Sequence, residues 1–291
     1  MIPASFEYFS PRTVPEAVNL LVRYGQEAKL LAGGHSLVPL MKLRLAAPRY
    51  VVDLNRIDGL SYIREADGFL RLGALTRHAE IETSELMRGR YPLLADAARV
   101  ISDPLVRNMG TIGGSLAHAD PAGDWGAAML AAGAEIVATG PGGTRTIPVE
   151  EFFEGTFVTA LRPDEILTEI RLPQAGRGQG GAYLKLERKV GDFAIAAVGV
   201  ALALDGDGAC RRVGIGLCNV GSTSLRAEKA ARLLTGQKPD DATVARAAAA
   251  AAAECDPASD LRGPAEYKRD VVRVLTARAV RLAAQRARGG A

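Results

Sequence analysis

The sequence predicts an α+β protein: two successive α/β units, then a three-stranded antiparallel sheet with a helical bundle. Three observations carry this. Strand-like apolar runs alternate with amphipathic helical stretches through residues 1–55 and again through 56–177. Residues 173–180, Pro-Gln-Ala-Gly-Arg-Gly-Gln-Gly, gather turn formers into the best linker of the chain. Residues 178–291 then read as strands followed only by helices.

In the first unit, Phe6-Glu7-Tyr8-Phe9 reads as a strand. Pro15 opens a helix that Gly25 ends, as Pro near an N-terminus and Gly past a C-terminus do. Lys29 to Ala32 is a strand, a short helix follows to about Leu45, and Tyr50 to Leu54 is a strand again. This alternation implies some parallel pairing. In the second unit, Leu60 to Arg64 and Phe69 to Gly73 flank the turn Asp67-Gly68. Thr76 reads as the cap of a helix from Arg77, and Pro92 opens another that Asp103-Pro104 ends. A helix from Trp125 to Ala132 and strands at 135–139, 144–147 and 166–172 complete the unit. In the third, strands at 182–187, 194–204 and 210–220 precede helices at 225–234, 242–254 and 264–286, and the tail from Arg288 is expected to fray.

Bulk properties exclude several classes. A formal charge of +3 over 291 residues is too small and dispersed for a nucleic-acid surface. No apolar run is long enough to span a membrane, and the N-terminus lacks the regions of a signal peptide, so a cytoplasmic protein is expected. The three cysteines and three histidines are too scattered for an iron–sulfur or zinc site built from neighbouring ligands. No Ser/His/Asp or Cys/His arrangement is legible, and no nucleophile or catalytic residue is assigned.

Two glycine stretches carry the functional signal. The first, Ala32-Gly33-Gly34-His35-Ser36-Leu37, joins a strand to a helix. The second is Gly110-Thr111-Ile112-Gly113-Gly114-Ser115. Glycines allow positive φ and leave backbone N–H groups open to an anion. Ser36 is placed to cap the helix after it. Two such stretches from two units suit the two phosphates of a dinucleotide, although either alone could be a tight turn. Neither is a Walker or a G-x-G-x-x-G pattern. His35 and His118 beside the stretches read as acid/base groups or as hydrogen-bonding neighbours of a ligand. Asp120 reads as a turn residue, and Asp124 as a helix cap or a ligand to a cofactor hydroxyl. Phe193, in Arg188-Lys189-Val190-Gly191-Asp192-Phe193-Ala194, stacks on a flat cofactor or anchors a hairpin.

With Asp120-Pro121, Asp124 and Arg262-Gly263-Pro264-Ala265-Glu266-Tyr267, these motifs occur in an order that resembles the FAD-binding medium subunits of molybdenum hydroxylases. The likeness is strongest to the aerobic carbon monoxide dehydrogenase type, and xanthine dehydrogenase FAD subunits are more distant. It covers essentially the whole chain. It implies the FAD-binding fold of the vanillyl-alcohol-oxidase type, with FAD between the first two units. It implies the pyrophosphate on residues 32–36 and 111–115, Asp124 on the ribityl or ribose hydroxyls, and Lys185 and the backbone near Leu167 beside the isoalloxazine. Relatives often carry Tyr where this chain has Phe193, which keeps stacking and loses a phenolic hydrogen bond.

The resemblance further implies an oxidoreductase subunit with a [2Fe–2S] small subunit and a molybdenum-cofactor large subunit as partners, in a dimer of heterotrimers. Electrons would pass through FAD to a quinone, NAD or another acceptor, in the cytoplasm or, through the complex, at the inner face of the membrane. The alternatives are a free-standing FAD oxidase of the same fold and a flavin-free assembly subunit.

Overall fold

The computed structural model describes residues 1–289; Gly290 and Ala291, the end of the tail expected to fray, lie outside the described residues. The first part holds strand β1 (Glu7–Phe9), helix α1 (Val14–Tyr24), β2 (Ala28–Leu31), α2 (Leu37–Lys42) and β3 (Tyr50–Asp53). All pairing in this sheet is parallel, in the order β1-β3-β2. The Thr13 hydroxyl caps α1 by accepting from the Glu16 N–H, and Gly25 ends the helix at φ 53°. Ala17, Val18 and Leu21 form the buried stripe of α1, at the i, i+1, i+4 spacing of one helix face.

The second part begins with the hairpin β4 (Ile63–Ala66) and β5 (Phe69–Gly73). Five short helices follow: α3 (His78–Thr83), α4 (Glu85–Arg90), α5 (Pro92–Arg99), α6 (Pro104–Met109) and α7 (Ile112–His118). Next come α8 (Asp124–Ala132), β6 (Glu135–Gly140), β7 (Gly143–Pro148), the small pair β8 (Phe153–Gly155) and β9 (Val158–Thr159), and β10 (Ile166–Pro173). The sheet order is β4-β5-β10-β6-β7, all antiparallel.

Two local readings differ from expectation here. Asp103-Pro104 does not simply end a helix: the Asp103 carboxylate accepts from the Val106 N–H and starts α6. Thr76 does not cap α3. Its buried hydroxyl exchanges hydrogen bonds with the backbone of Tyr62, while Glu80 Oε2 accepts from the Arg77 N–H at the helix start.

The third part has β11 (Gln179–Glu187), β12 (Ala194–Leu204), β13 (Cys210–Cys218) and a two-residue edge strand β14 (Leu225–Arg226). The sheet is therefore four-stranded, and helix α9 begins only at Glu228 (Glu228–Leu234), because Leu225 and Arg226 pair with β13. Helices α10 (Asp241–Ala253) and α11 (Ala265–Ala287) complete the chain.

The nearly unbroken burial of β12 has a physical cause: both faces of this sheet are covered. A Cβ on Gly214 or Gly216 would meet the carbonyls of Ala131 and Ala127 in α8 at 2.0 and 1.9 Å. A Cβ on Gly180 would meet the Ala283 carbonyl in α11 at 2.0 Å. Glycine in the strands thus lets α8 of the second part and α11 of the third lie directly on the backbone.

Candidate flavin site

The structure brings the two glycine stretches into contact. A Cβ on Gly33 would stand 2.5 Å from the Met109 carbonyl oxygen and 2.7 Å from the Gly110 Cα. A Cβ on Gly114 would stand 3.5 Å from the Ala32 Cβ. The seam between the turn after β2 and the end of α6 is thus a close backbone approach that only glycine at position 33 permits.

The stretches differ in what they do with their donors. In the first, Gly34 takes φ +78° and the chain enters α2. Among the described residues, the N–H groups of Gly34, His35, Ser36 and Leu37 donate to no protein acceptor. Ser36 adopts φ −107°, ψ −54°, a helical rather than extended conformation, so its hydroxyl does not cap the helix as expected. His35 and Ser36 are exposed.

In the second stretch nearly every amide is committed. Gly110 N–H donates to Val106 O (2.7 Å), Ile112 to Thr76 O (3.1 Å), Gly113 to Ala74 O (2.9 Å) and Ser115 to Thr111 O (3.0 Å). Thr111 Oγ1 accepts from Gly114 N–H at 3.2 Å and caps α7. Gly113 is packed against Ala74, where a Cβ would meet the Ala74 Cβ at 2.6 Å. Leu167 is buried in β10 next to Thr168, whose carbonyl accepts from the Ala74 N–H.

Four site residues were not legible in the sequence. Asn55 Nδ2 donates to Ala32 O at 2.8 Å, and its Oδ1 accepts from Arg77 at 2.6 Å. Arg77 also donates to the Met109 carbonyl. The signal for Asn55 is topological: parallel strands β2 and β3 end side by side, so the residues after each meet. Buried His78 donates its N–H to Gly110 O, and its Nδ1 accepts from the Trp125 indole N–H at 3.1 Å. Burial, with the Arg77 charge adding to it, pushes the imidazole down to about 4, so it is neutral near pH 7. The fourth, Tyr183, donates its hydroxyl to Asp124 Oδ1 at 2.9 Å.

Asp124 and Lys185 face each other. Lys185 Nζ donates to Asp124 Oδ2 (3.0 Å) and to Val100 O (3.0 Å). Both side chains are buried, and burial raises the Asp124 carboxyl above the usual carboxylate range against the pull of Lys185. This pair joins α8 to β11, the second part to the third. His118, half-buried at the end of α7, lies against the Phe157 ring at 5.0 Å, and burial lowers its pKa. Asp120 caps its own turn by accepting from the Ala122 N–H.

Phe193 is half exposed, with the Arg262 guanidinium 5.8 Å from its ring centroid. Arg262 also pairs with Asp192 at 3.0 Å, which ties the 188–194 hairpin to the segment before α11. The cysteines are buried free thiols, and no three His, Cys, Asp or Glu side chains form a metal-holding group among the described residues. No described helix is long and apolar enough to cross a membrane.

An open amide run beside a close glycine seam makes a cradle suited to an anion such as a diphosphate. Comparison with known proteins takes this further. Residues 4–175 match the FAD binding domain in molybdopterin dehydrogenase, and residues 181–283 the CO dehydrogenase flavoprotein C-terminal domain. The chain belongs to this family of FAD-binding medium subunits of CO dehydrogenase-type molybdenum hydroxylases, an oxidoreductase family, and its cofactor is FAD. It is 46% identical to the carbon monoxide dehydrogenase medium chain of Hydrogenophaga pseudoflava, covering 97% of this chain and 98% of that one. It is 35% identical to the glyceraldehyde dehydrogenase medium chain of Sulfolobus acidocaldarius, over 96% and 98%.

Among solved structures, carbon monoxide dehydrogenase from Hydrogenophaga pseudoflava superposes with a TM-score of 0.94 at 47% identity, over 97% and 98% of the chains. Quinoline 2-oxidoreductase from Pseudomonas putida 86 superposes at 0.91 and 30% identity, over 99% of each.

Proposed function

We propose that this chain is the electron-transfer flavoprotein of a heterotrimeric molybdenum hydroxylase. It takes electrons from a [2Fe–2S] small subunit and passes them to an external quinone, NAD or other acceptor. The molybdenum-cofactor large subunit would oxidise the substrate, and the whole would be a dimer of heterotrimers, cytoplasmic or docked at the inner face of the membrane. The observation that carries this reading, together with the family match over nearly the whole chain, is the seam at Gly33, where the turn after β2 and the end of α6 meet backbone to backbone beside four open N–H groups.

We assign the FAD pyrophosphate to residues 32–37 and 110–115, with the two stretches in different roles. Gly34, His35, Ser36 and Leu37 supply donors, while Gly110, Thr111, Ile112, Gly113, Gly114 and Ser115 form the wall they close against. Phe193 would cover one face of the ring system and exclude water from it, steadied by Arg262. Asp124 and Lys185 hold one another between α8 and β11 and so fix the hairpin that carries Phe193. We also assign Asp124 to the ribityl or ribose hydroxyls, and Lys185 and the backbone near Leu167 to the isoalloxazine, as the family resemblance implies. When bound, the flavin supplies the redox chemistry; the chain supplies binding, orientation and shielding.

The test is reconstitution. The chain is purified with FAD, then mixed with candidate iron–sulfur and molybdenum subunits. Bleaching of the flavin by reducing substrate only when both partners are present supports the proposal. Oxidation of a small substrate by the isolated chain overturns it.

A further inference from the structure

Arg77 is a partly buried cation held entirely by neutral oxygens. One Nη donates to the Met109 carbonyl and the other to Asn55 Oδ1 at 2.6 Å. The two carboxylates in its neighbourhood have other partners. Glu80 Oε2 accepts from the Arg77 backbone N–H and from the Ser61 hydroxyl. Asp53 accepts from Tyr8 and from the Asn55 side chain and N–H. No ion pair to the Arg77 guanidinium occurs among the described residues, and burial pulls its pKa below the usual arginine value. A desolvated guanidinium stays protonated and keeps unused N–H donors in a planar fork suited to phosphate. Glu80 and Asp53 offset part of its charge at a distance, but neither carboxylate pairs with the guanidinium.

Its position is set by the seam. The Met109 carbonyl that Arg77 grips is the atom that a Cβ on Gly33 would strike at 2.5 Å. The Asn55 carboxamide that orients Arg77 also holds Ala32 O, at the start of the first stretch. One hydrogen-bonded chain, Ala32–Asn55–Arg77–Met109, therefore crosses from one stretch to the other and places a positive charge in the seam.

We propose that Arg77, oriented by Asn55, is the fixed cation of the FAD pyrophosphate site. This rests on the assignment of the two glycine stretches to that pyrophosphate. The dianionic diphosphate is the directly paired anion that Arg77 lacks, and the open amides of Gly34 to Leu37 share it.

The experiment uses the full chain stripped of flavin. FAD is titrated back at several ionic strengths and binding is followed by flavin fluorescence, for wild type, Arg77→Met, Arg77→Lys and Asn55→Ala. Loss of a charged hydrogen bond to phosphate predicts about 10- to 100-fold weaker binding for Arg77→Met. Its dependence on salt should also be flatter than wild type, because one screened charge is gone. Arg77→Lys should restore the salt dependence and part of the affinity, since ammonium keeps the charge without the fork. Asn55→Ala should fall between.

Binding by Arg77→Met within twofold of wild type overturns the proposal. So does weaker binding with an unchanged salt dependence, which would make Arg77 a structural tie alone. Should Arg77→Met fail to fold, Arg77→Lys decides: a wild-type salt dependence supports the proposal and a flat one overturns it. If wild type itself binds FAD with no dependence on salt, the proposal for Arg77 fails; if Gly33→Val leaves FAD binding unchanged, the pyrophosphate assignment fails first.

Discussion

The two glycine stretches look alike in sequence and behave differently in the fold. The first is a surface turn whose amides at 34–37 donate to no protein acceptor among the described residues and whose Ser36 makes no cap. The second is a fixed helix start whose amides are bonded to Val106, Thr76, Ala74 and Thr111. In the first, Gly33 packs while Gly34 turns the chain and leaves donors open; in the second, the glycines serve packing alone. Two copies of a motif therefore need not share a role, because what lies behind each glycine pair decides it.

Substitutions should separate these roles. The largest effect is expected at Gly113, whose Cβ would sit 2.6 Å from the Ala74 Cβ and 2.7 Å from its carbonyl. Gly113→Val should destabilise the flavin-free chain by about 3 kcal/mol or more, or prevent folding, as urea unfolding would show. Wild-type stability in that variant would refute the packing role.

Acid should loosen the second stretch next. The His78 backbone N–H holds the Gly110 carbonyl, while its imidazole Nδ1 accepts from the Trp125 indole N–H and loses that bond on protonation. Its folded pKa, about 4, lies below the ordinary imidazole value of 6.5, so as pH falls the unfolded chain takes up this proton first. The contribution is therefore complete above about pH 6.5 and is lost as pH falls towards 4, at most roughly 3 kcal/mol. His78→Gln retains an acceptor for the indole and removes this titration. Unfolding curves for wild type and variant should converge as the pH falls across that window; parallel curves would exclude His78 as the source.

Gly33→Val is expected to act on FAD more than on folding, since the first stretch lies at the surface. Forcing the seam open should weaken FAD binding roughly 100-fold, or about 2.7 kcal/mol, with the flavin-free chain losing less stability than Gly113→Val. Equal destabilisation by the two variants would erase the distinction. The smallest effect belongs to Gly34→Ala. Its φ of +78° costs an alanine about 1 kcal/mol, with Val38 at an ordinary 3.4 Å, and FAD affinity should drop only a few fold in the same titration.

Much of the architecture is legible in the sequence because its causes are local. Pro15 and Gly25 bracket α1, Asp67-Gly68 turns the β4–β5 hairpin, and the long apolar run of β12 announces a strand covered on both faces. The short helices α4 and α6 escape such a reading, being six residues each and too brief for a helical period to stand out. Leu225 and Arg226 read as helix because their propensity is helical; pairing with β13 overrides it.

The sequence by itself marked the two glycine stretches, because glycine patterns act within a few positions of one another, and the order of its motifs along the whole chain carried the resemblance that gave the family and the cofactor. Only the tertiary structure decided which stretch donates and which packs, since that depends on Ala74 and Thr76 arriving behind Gly113 and Ile112. It alone put Asn55 and Arg77 between the stretches and set Lys185 against Asp124. Hydrogen bonds across such sequence distances are fixed by sheet order and helix packing, and no local pattern records them.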